Sequence, residues 1–293
     1  MARDASPTVG RRRLAAELRR LRESARKTGA QLADALDWST SKVSRIEKAQ
    51  VTVQRDDVAR LADYHRVDPP LRATLLALAA ESEARGWWEE YADSLPDSYT
   101  HYIGLESGAE SMLTWQNVIF PGLFQTADYA RAAMGLGHPL NTVSPAEVER
   151  RARLRLRRQE LLAGENPLVI TALIDESVLY RRFGTRKVMR EQLERVVEIA
   201  ALPNVSVRVL ELDAPHMHSH HGFVLLRFPQ REQLRRVHDD VVYLEKVTGG
   251  AFEEGEEETH HFSRLFHQMS TEALSESESV ALIAKIAEGS PAE

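Results

Sequence analysis

The chain contains no cysteine among its 293 residues. A disulfide framework and a thiolate metal site are therefore both excluded. No run of apolar residues approaches the roughly twenty that a membrane-spanning helix needs, and the first ten residues lack the apolar segment of a signal peptide. We therefore expect a cytoplasmic protein that does not bind a membrane.

Sequence motifs of nucleotide binding and acyl transfer are also missing. The chain has neither a P-loop nor a Gly-x-Ser-x-Gly elbow, and the stretch 135–138 lacks the third glycine of a dinucleotide fingerprint. We therefore expect a protein without a cofactor and without enzymatic activity.

Four histidines lie within six residues, at His216, His218, His220 and His221. Imidazoles at this density can bind a divalent transition metal. However, the segment has the character of a loop between strands, no carboxylate motif accompanies it, and side chains of a short loop cannot all converge. We therefore expect no metal site there, and a metalloenzyme built on this loop stays open as a hypothesis.

Charge is unevenly distributed along the chain. Residues 1–66 carry fifteen Lys and Arg against nine Asp and Glu, a net charge of +6, whereas the remainder carries −12. A basic module within an acidic protein fits a polyanionic partner. Arg11, Arg12 and Arg13 lie just before the body of the first predicted helix, where a flexible basic arm could follow a phosphate backbone. A charged helix start that only aids solubility is the alternative.

Residues 39–48 have the order of residue types found in a helix that lies in the major groove of DNA. Ser39 is a good N-cap, and Val43 and Ile46 are spaced to face inward. Polar and cationic side chains share the outward face: Thr40, Ser41, Ser44, Arg45 and Lys48. This face can donate hydrogen bonds to bases and phosphates. For this segment alone, an ordinary solvated amphipathic helix is the alternative.

Four further helices are predicted around this segment. Apolar residues recur at helical spacing in four ranges: 11–26, 28–36, 55–64 and 70–80. Asp37 lies in the tight turn before the recognition segment, where it can adopt the left-handed conformation. The sequence thus predicts five short helices within about eighty residues.

The stretch from Trp38 to Glu47 reads Trp-Ser-x-Ser-Lys-Val-Ser-Arg-Ile-Glu and resembles the lambda-repressor-type (XRE) helix-turn-helix domain, over residues 11–68. The resemblance implies two groups of contacts with double-stranded DNA. The residues that approach base edges are Thr40, Ser41 and Arg45. The residues that lie near the DNA backbone are Lys42, Ser44 and Lys48.

One departure from the family pattern concerns the second helix. The family usually has glutamine at its start, to clamp phosphate and support the recognition helix, whereas this chain has Gly29. Gln31, in the next turn, is the candidate substitute for DNA binding. The resemblance also implies that Glu47 is structural and pairs with an arginine of the first helix, for which Arg22 is the candidate.

The remainder of the chain predicts an α/β domain. An apolar run at 168–174 and an alternating stretch at 205–210 flank an amphipathic helix at 188–201, which is a β-α-β pattern within one sheet. Further strands are predicted at 222–228 and 241–245. Further helices are predicted at 103–111, 145–163, 260–273 and 276–286. The fold class is therefore mainly α with an α/β C-terminal part.

Four regions follow from these patterns. They are a disordered N-terminus (1–10), a five-helix DNA-binding domain (11–81), a linker (82–100) and a C-terminal regulatory and dimerisation domain (101–288). Trp87, Trp88 and Tyr91 concentrate aromatic mass in the linker. We expect them to fix the linker to the second domain, with a ligand cage as the alternative.

Several stretches of the second domain resemble the domain that follows the helix-turn-helix in WhiJ-like regulators of actinobacteria: 86–88, 102–106, 115–116, 121–130 and 202–205. The resemblance implies a bacterial transcription factor, often encoded beside a small protein that is thought to act with it in an antitoxin-like arrangement. It supplies no catalytic residues.

The function predicted from the sequence is that of a sequence-specific transcriptional regulator. Its C-terminal domain would dimerise and receive a protein signal, and a homodimer would read a palindromic operator in double-stranded DNA. Two alternatives stay open. One is an antitoxin-like role in a two-protein system with a small partner, and the other is a small-molecule-responsive repressor.

Overall fold

The computed structural model describes residues 6–135, 144–214, 221–230, 240–246 and 249–289, together with residue 234. Its N-terminal part is helical and comprises α1 (Pro7–Ser24), α2 (Gly29–Leu36), α3 (Thr40–Glu47), α4 (Arg55–Tyr64) and α5 (Pro69–Glu83). Each of these helices contributes a buried aliphatic side chain to one core: Leu14, Leu32, Val43, Val58 and Leu75. The five predicted helices are confirmed.

The C-terminal part is a mixed α/β domain. A 3-10 helix at Trp87–Ser94 precedes it, and two more lie at Gly122–Phe124 and Gln159–Leu162. The α-helices are α6 (Asp97–Gly108), α7 (Ala127–Gly135), α8 (Pro145–Arg158), α9 (Ser177–Tyr180), α10 (Arg186–Ala200), α11 (Glu256–Glu272) and α12 (Glu276–Gly289). The strands are β1 (Ser111–Gln116), β2 (Val169–Asp175), β3 (Val205–Leu210), β4 (Phe223–Arg227), β5 (Val241–Lys246) and β6 (Gly249–Glu253).

The strands form one six-stranded mixed sheet in the order β3-β2-β1-β4-β5-β6. The β1-β2 and β2-β3 pairs are parallel, and the other three pairs are antiparallel. Met112 and Ile170 lie in the core that α6, α8, α10 and α12 share, whereas Leu113 and Leu173 lie in the core shared with α11. The sheet is therefore covered on both faces.

Two strands depart from the prediction. The sequence predicts a helix over 103–111, but α6 ends at Gly108 and β1 begins at Ser111. β1 is central and buried on both faces, so it shows no polar alternation that would mark a strand. β6 begins with two glycines, which have low strand propensity, and it forms an edge of the sheet.

The predicted disorder of residues 1–10 is wrong for 6–10. Ser6 is the N-cap of α1, and Pro7 occupies the first helical turn, where its fixed φ angle suits the helix. The Ser6 hydroxyl donates a hydrogen bond of 2.5 Å to the carbonyl oxygen of Gly104 in α6. Val9 is buried in the core of the C-terminal domain. The start of α1 is therefore ordered because it packs against the second domain.

The predicted linker is also folded onto the C-terminal domain. Trp88 is 4% exposed and belongs to the core that lies against α6 and β1. Arg157 of the arginine-dense α8 lies 4.7 Å from the ring centroid of Trp87, and Arg151 donates a 3.1 Å hydrogen bond to the carbonyl oxygen of Ser94. The prediction that aromatic residues fix this segment to the second domain is confirmed.

No helix in the ranges described is both long enough and apolar enough to span a bilayer.

Candidate nucleic-acid interface

The turn between α2 and α3 sets the direction of the candidate recognition helix. Asp37 ends α2 in the left-handed conformation, with φ 55° and ψ 48°, as its residue type predicts. Ser39 then caps α3, because its hydroxyl oxygen accepts a 3.1 Å hydrogen bond from the backbone N–H of Lys42. Two local signals, both readable in the sequence, thus place the start of α3.

The amphipathicity of α3 agrees with the prediction. Val43 and Ile46 are each 3% exposed and lie in the core of the N-terminal domain. The five predicted outward side chains are all exposed: Thr40, Ser41, Ser44, Arg45 and Lys48. The helix therefore offers hydroxyl and cationic groups along one open face, and their contact with DNA stays a prediction.

Lys42 differs from these five residues, because its charge is compensated within the protein. Its ammonium nitrogen lies 2.6 Å from a carboxylate oxygen of Asp57 in α4 and 3.9 Å from the ring centroid of Trp38. Arg60 supports the same tryptophan from 5.4 Å and donates a 2.6 Å hydrogen bond to the carbonyl oxygen of Leu36. Lys42 thus fixes α3 to α4. No pattern within α3 points to Asp57 or Arg60, because both lie on a later helix.

Glu47 and Arg22 form the ion pair that the resemblance implies. The Nε and Nη2 atoms of Arg22 donate hydrogen bonds of 2.7 and 2.9 Å to the two carboxylate oxygens of Glu47. This hydrogen bonding raises the pKa of Arg22. Nη1 donates a further 2.8 Å hydrogen bond to the carbonyl oxygen of Lys27. The prediction that Glu47 is structural is therefore confirmed.

Gln31 has a structural role at the start of α2. Its side-chain oxygen accepts a 3.0 Å hydrogen bond from the backbone N–H of Thr28, and the Thr28 hydroxyl accepts one of 3.2 Å from the backbone N–H of Gln31. This reciprocal arrangement is a capping box. Gln31 is exposed, and its amide NH₂ group can donate a hydrogen bond to a DNA phosphate. Its predicted DNA contact stays a prediction.

The flexible basic arm predicted at residues 11–13 is wrong, because all three arginines lie within α1. Arg13 is 5% exposed and donates a 2.5 Å hydrogen bond to the carbonyl oxygen of Pro229. Arg12 lies 3.3 Å from a carboxylate oxygen of Glu254. Arg11 is half-buried in the same helix. Arg12 and Arg13 therefore connect the two domains, a role that a pattern in residues 11–13 alone cannot reveal.

The histidine cluster cannot be followed in the structure. His216, His218 and His220 lie outside the described residues, and His221 is exposed. Within the described ranges, no group of three or more His, Asp or Glu is arranged to hold a metal ion.

Comparison with protein families identifies two regions of the chain. A helix-turn-helix domain model matches residues 13–75. A second model, a domain of unknown function designated DUF5753, matches residues 99–285, which is more than half of the chain. The chain belongs to the DUF5753 family. No curated protein and no solved structure was found to match it. The predicted likeness to WhiJ-like regulators and the antitoxin-like partner therefore stay predictions.

The DUF5753 domain encloses a buried ion pair between two of its helices. Arg158 of α8 is 3% exposed and Glu106 of α6 is 0% exposed. The guanidinium donates hydrogen bonds of 2.7 and 2.6 Å to the two carboxylate oxygens, and a further one of 2.6 Å to the hydroxyl oxygen of Tyr99. Removing either partner would leave an uncompensated buried charge, so this pair fixes α8 to α6.

Proposed function

We propose that this chain is a sequence-specific DNA-binding transcriptional regulator that reads the major groove with α3. The observation that supports this most directly is that one face of the helix is anchored in the protein while the other face is exposed. Val43, Ile46 and Glu47 are held by the protein, while Ser44 and Arg45, between them in the sequence, are exposed. A helix held rigidly by one face can present its other face to base edges in a fixed register.

The side chains on the open face have the chemistry for both kinds of DNA contact. A guanidinium such as that of Arg45 can donate two hydrogen bonds to O6 and N7 of guanine, and an ammonium such as that of Lys48 can neutralise a phosphate. Thr40 and Ser41, at the N-terminal end of the helix, are short enough to let the backbone approach the groove. This combination favours recognition of a defined sequence.

The regulator acts as a homodimer on a palindromic operator. One α3 of eight residues offers few base-reading side chains, so a single copy covers only a half-site. Two copies related by a two-fold axis would place their α3 helices about one DNA turn, or ~34 Å, apart.

Selection of bound fragments from random and genomic DNA by the purified full chain tests the proposal. We expect enrichment of a palindromic sequence whose half-sites are spaced by about one turn, with an affinity that falls steeply as salt rises. No preference over random DNA would overturn the proposal. Enrichment of a single half-site, bound by a monomer in sedimentation analysis, would overturn the dimer.

A further inference from the structure

A cavity in the DUF5753 domain has room for a small ligand group. It has a volume of about 50 Å³ and lies between β1, β2, β4 and β5 of the sheet and helices α6 and α8. Its floor includes the apolar side chains of Met112, Ile170 and Val224. One ordered water needs about 10–15 Å³ of such space, so the cavity accommodates several water molecules or a group of a few heavy atoms.

Arg155 faces this cavity without a carboxylate partner among the described residues. It is half-buried, and its hydrogen bonds go to neutral acceptors, with Nη1 2.6 Å from the side-chain oxygen of Gln125 and Nη2 3.5 Å from the hydroxyl oxygen of Tyr99. Arg158, one helical turn later, is paired with Glu106. Since a partly buried charge is usually paired, Arg155 provides a cation that an external anion can compensate.

The hydroxyl of Tyr243 is a second free group in the cavity wall. Tyr243 is 5% exposed and lines the cavity, and its hydroxyl makes no hydrogen bond to any residue in the described ranges. The ring is held in place by Tyr102, whose centroid lies 4.3 Å away, and by Phe252 at 5.3 Å. Burial raises the pKa of Tyr243, so the phenol stays protonated and available as a donor.

We propose that this cavity binds a small organic carboxylate. The carboxylate accepts hydrogen bonds from Arg155 and Tyr243, and the apolar part of the ligand lies on Met112 and its neighbours on the sheet. Glu245 is exposed and also lines the cavity. Its negative charge disfavours a dianion, so a monoanionic carboxylate fits better than inorganic phosphate.

Helix α6 joins this cavity to the DNA-binding domain. Tyr102 and Glu106 of α6 line the cavity, while Gly108 lies against α1, where an added Cβ would be 2.7 Å from both Ser6 and Val9 side-chain atoms. Because the two helices are packed this closely, any shift of α6 on ligand binding would be transmitted to α1. The ligand acts as an effector of DNA binding, and this part of the inference rests on the proposed function.

Methyl NMR of the full chain, labelled with ¹³C at methionine methyl groups, tests the site. The probes are acetate and isobutyrate, with acetamide and isobutyramide as neutral counterparts and inorganic phosphate as a dianion. We expect saturable shifts of the Met112 methyl, assigned with Met112→Leu, with the carboxylates and at least tenfold weaker binding of the amides. Equal binding of the amides, tighter binding of phosphate, or no shift with any probe would overturn the proposal.

Two variants of α8 separate the site from nonspecific anion binding. Arg155→Gln should weaken carboxylate binding at least tenfold, since it removes the charge-assisted donor. Arg153→Gln removes an exposed arginine of the same helix and should leave binding unchanged. Glu245→Gln should tighten it. Equal effects of the two arginine variants would overturn the assignment.

DNA affinity, measured with and without saturating isobutyrate, tests the effector role. We expect at least a fivefold change, and by linkage the same factor should appear in isobutyrate affinity with and without DNA. An unchanged affinity would overturn the effector role. If no DNA is selected at all, the proposed function fails, but the NMR titration still decides the cavity.

Discussion

Arg22 of α1 and Glu47, the last residue of α3, form a two-point ion pair with hydrogen bonds of 2.7 and 2.9 Å. Their side chains are 13% and 12% exposed. The pair therefore holds the C-terminal end of the candidate recognition helix in a setting where solvent screens it only in part.

Glu47→Ala should lower the free energy of unfolding by about 2 kcal/mol, because the Arg22 guanidinium loses its paired carboxylate while still largely buried. Urea denaturation measures this loss. Glu23→Ala is the matched control, since the Glu23 side chain is 51% exposed and its removal should change stability by no more than about 0.5 kcal/mol. Similar losses in both variants would contradict the structural role of Glu47.

Arg45→Ala and Lys48→Ala should have different effects on DNA binding. Loss of Arg45 should cost about 1–3 kcal/mol on the selected sequence and relax the preference at one base pair. Loss of Lys48 should weaken binding to all sequences alike and reduce the slope of log affinity against log salt by about 1. Titrations at several salt concentrations measure both. Arg264→Ala, an exposed arginine of α11, should leave DNA binding unchanged; a relaxed preference in that variant would contradict recognition through α3.

Ala49→Gly should stabilise the protein by about 0.5–1 kcal/mol. Ala49 follows α3 with φ 53°, a left-handed conformation that costs a residue with a Cβ about 1–2 kcal/mol. Glycine removes this cost, but its greater conformational entropy in the unfolded chain offsets part of the stabilisation. Thermal and urea unfolding measure the change. Destabilisation would contradict this prediction, because it would show that the Ala49 methyl group stabilises the fold by more than its backbone conformation costs.

Gly108→Ala should destabilise the contact between α1 and α6 by about 1–3 kcal/mol. The added Cβ would meet the Ser6 and Val9 side chains at 2.7 Å, so one helix must move. The Gly135→Ala variant is the control, because a Cβ there meets no atom of the described residues within 4 Å. Hydrogen exchange along residues 6–10 should rise in the first variant only. Equal protection in both would contradict tight packing at this contact.

Stability should fall as the pH decreases below about 6.5, the usual pKa of histidine. Burial lowers the pKa of His101, and the charge of Arg12 lowers it further. The unfolded chain therefore binds a proton at a higher pH than the folded one, and the stability present above the unfolded pKa is lost as the pH falls toward the folded pKa. Urea denaturation at pH 7.5 and 5.5 measures this. His101→Gln should reduce the difference, whereas His260→Gln, at an exposed position, should not.

The elements that the sequence predicts well are those set by local signals. The five N-terminal helices follow from apolar spacing, and the start of α3 follows from the residue types of Asp37 and Ser39. Apolar spacing does not reveal β1, because a central strand covered on both faces has no period of two. Nor does it reveal the start of α1, because Ser6 and Val9 are ordered by contacts with α6, nearly a hundred residues later.

The sequence by itself determined the presence and the amphipathicity of the candidate recognition helix, because an amphipathic helix and its caps depend on residues within a few turns of each other. Only the tertiary structure decided which cationic side chains are available to bind an external anion. Arg13 and Lys42 are engaged within the protein, whereas Arg45 is exposed and Arg155 faces a cavity with no ion-paired carboxylate among the described residues. The sequence alone does not distinguish a paired arginine or lysine from an unpaired one. Whether such a side chain can bind a ligand depends on partners that the fold brings from distant positions.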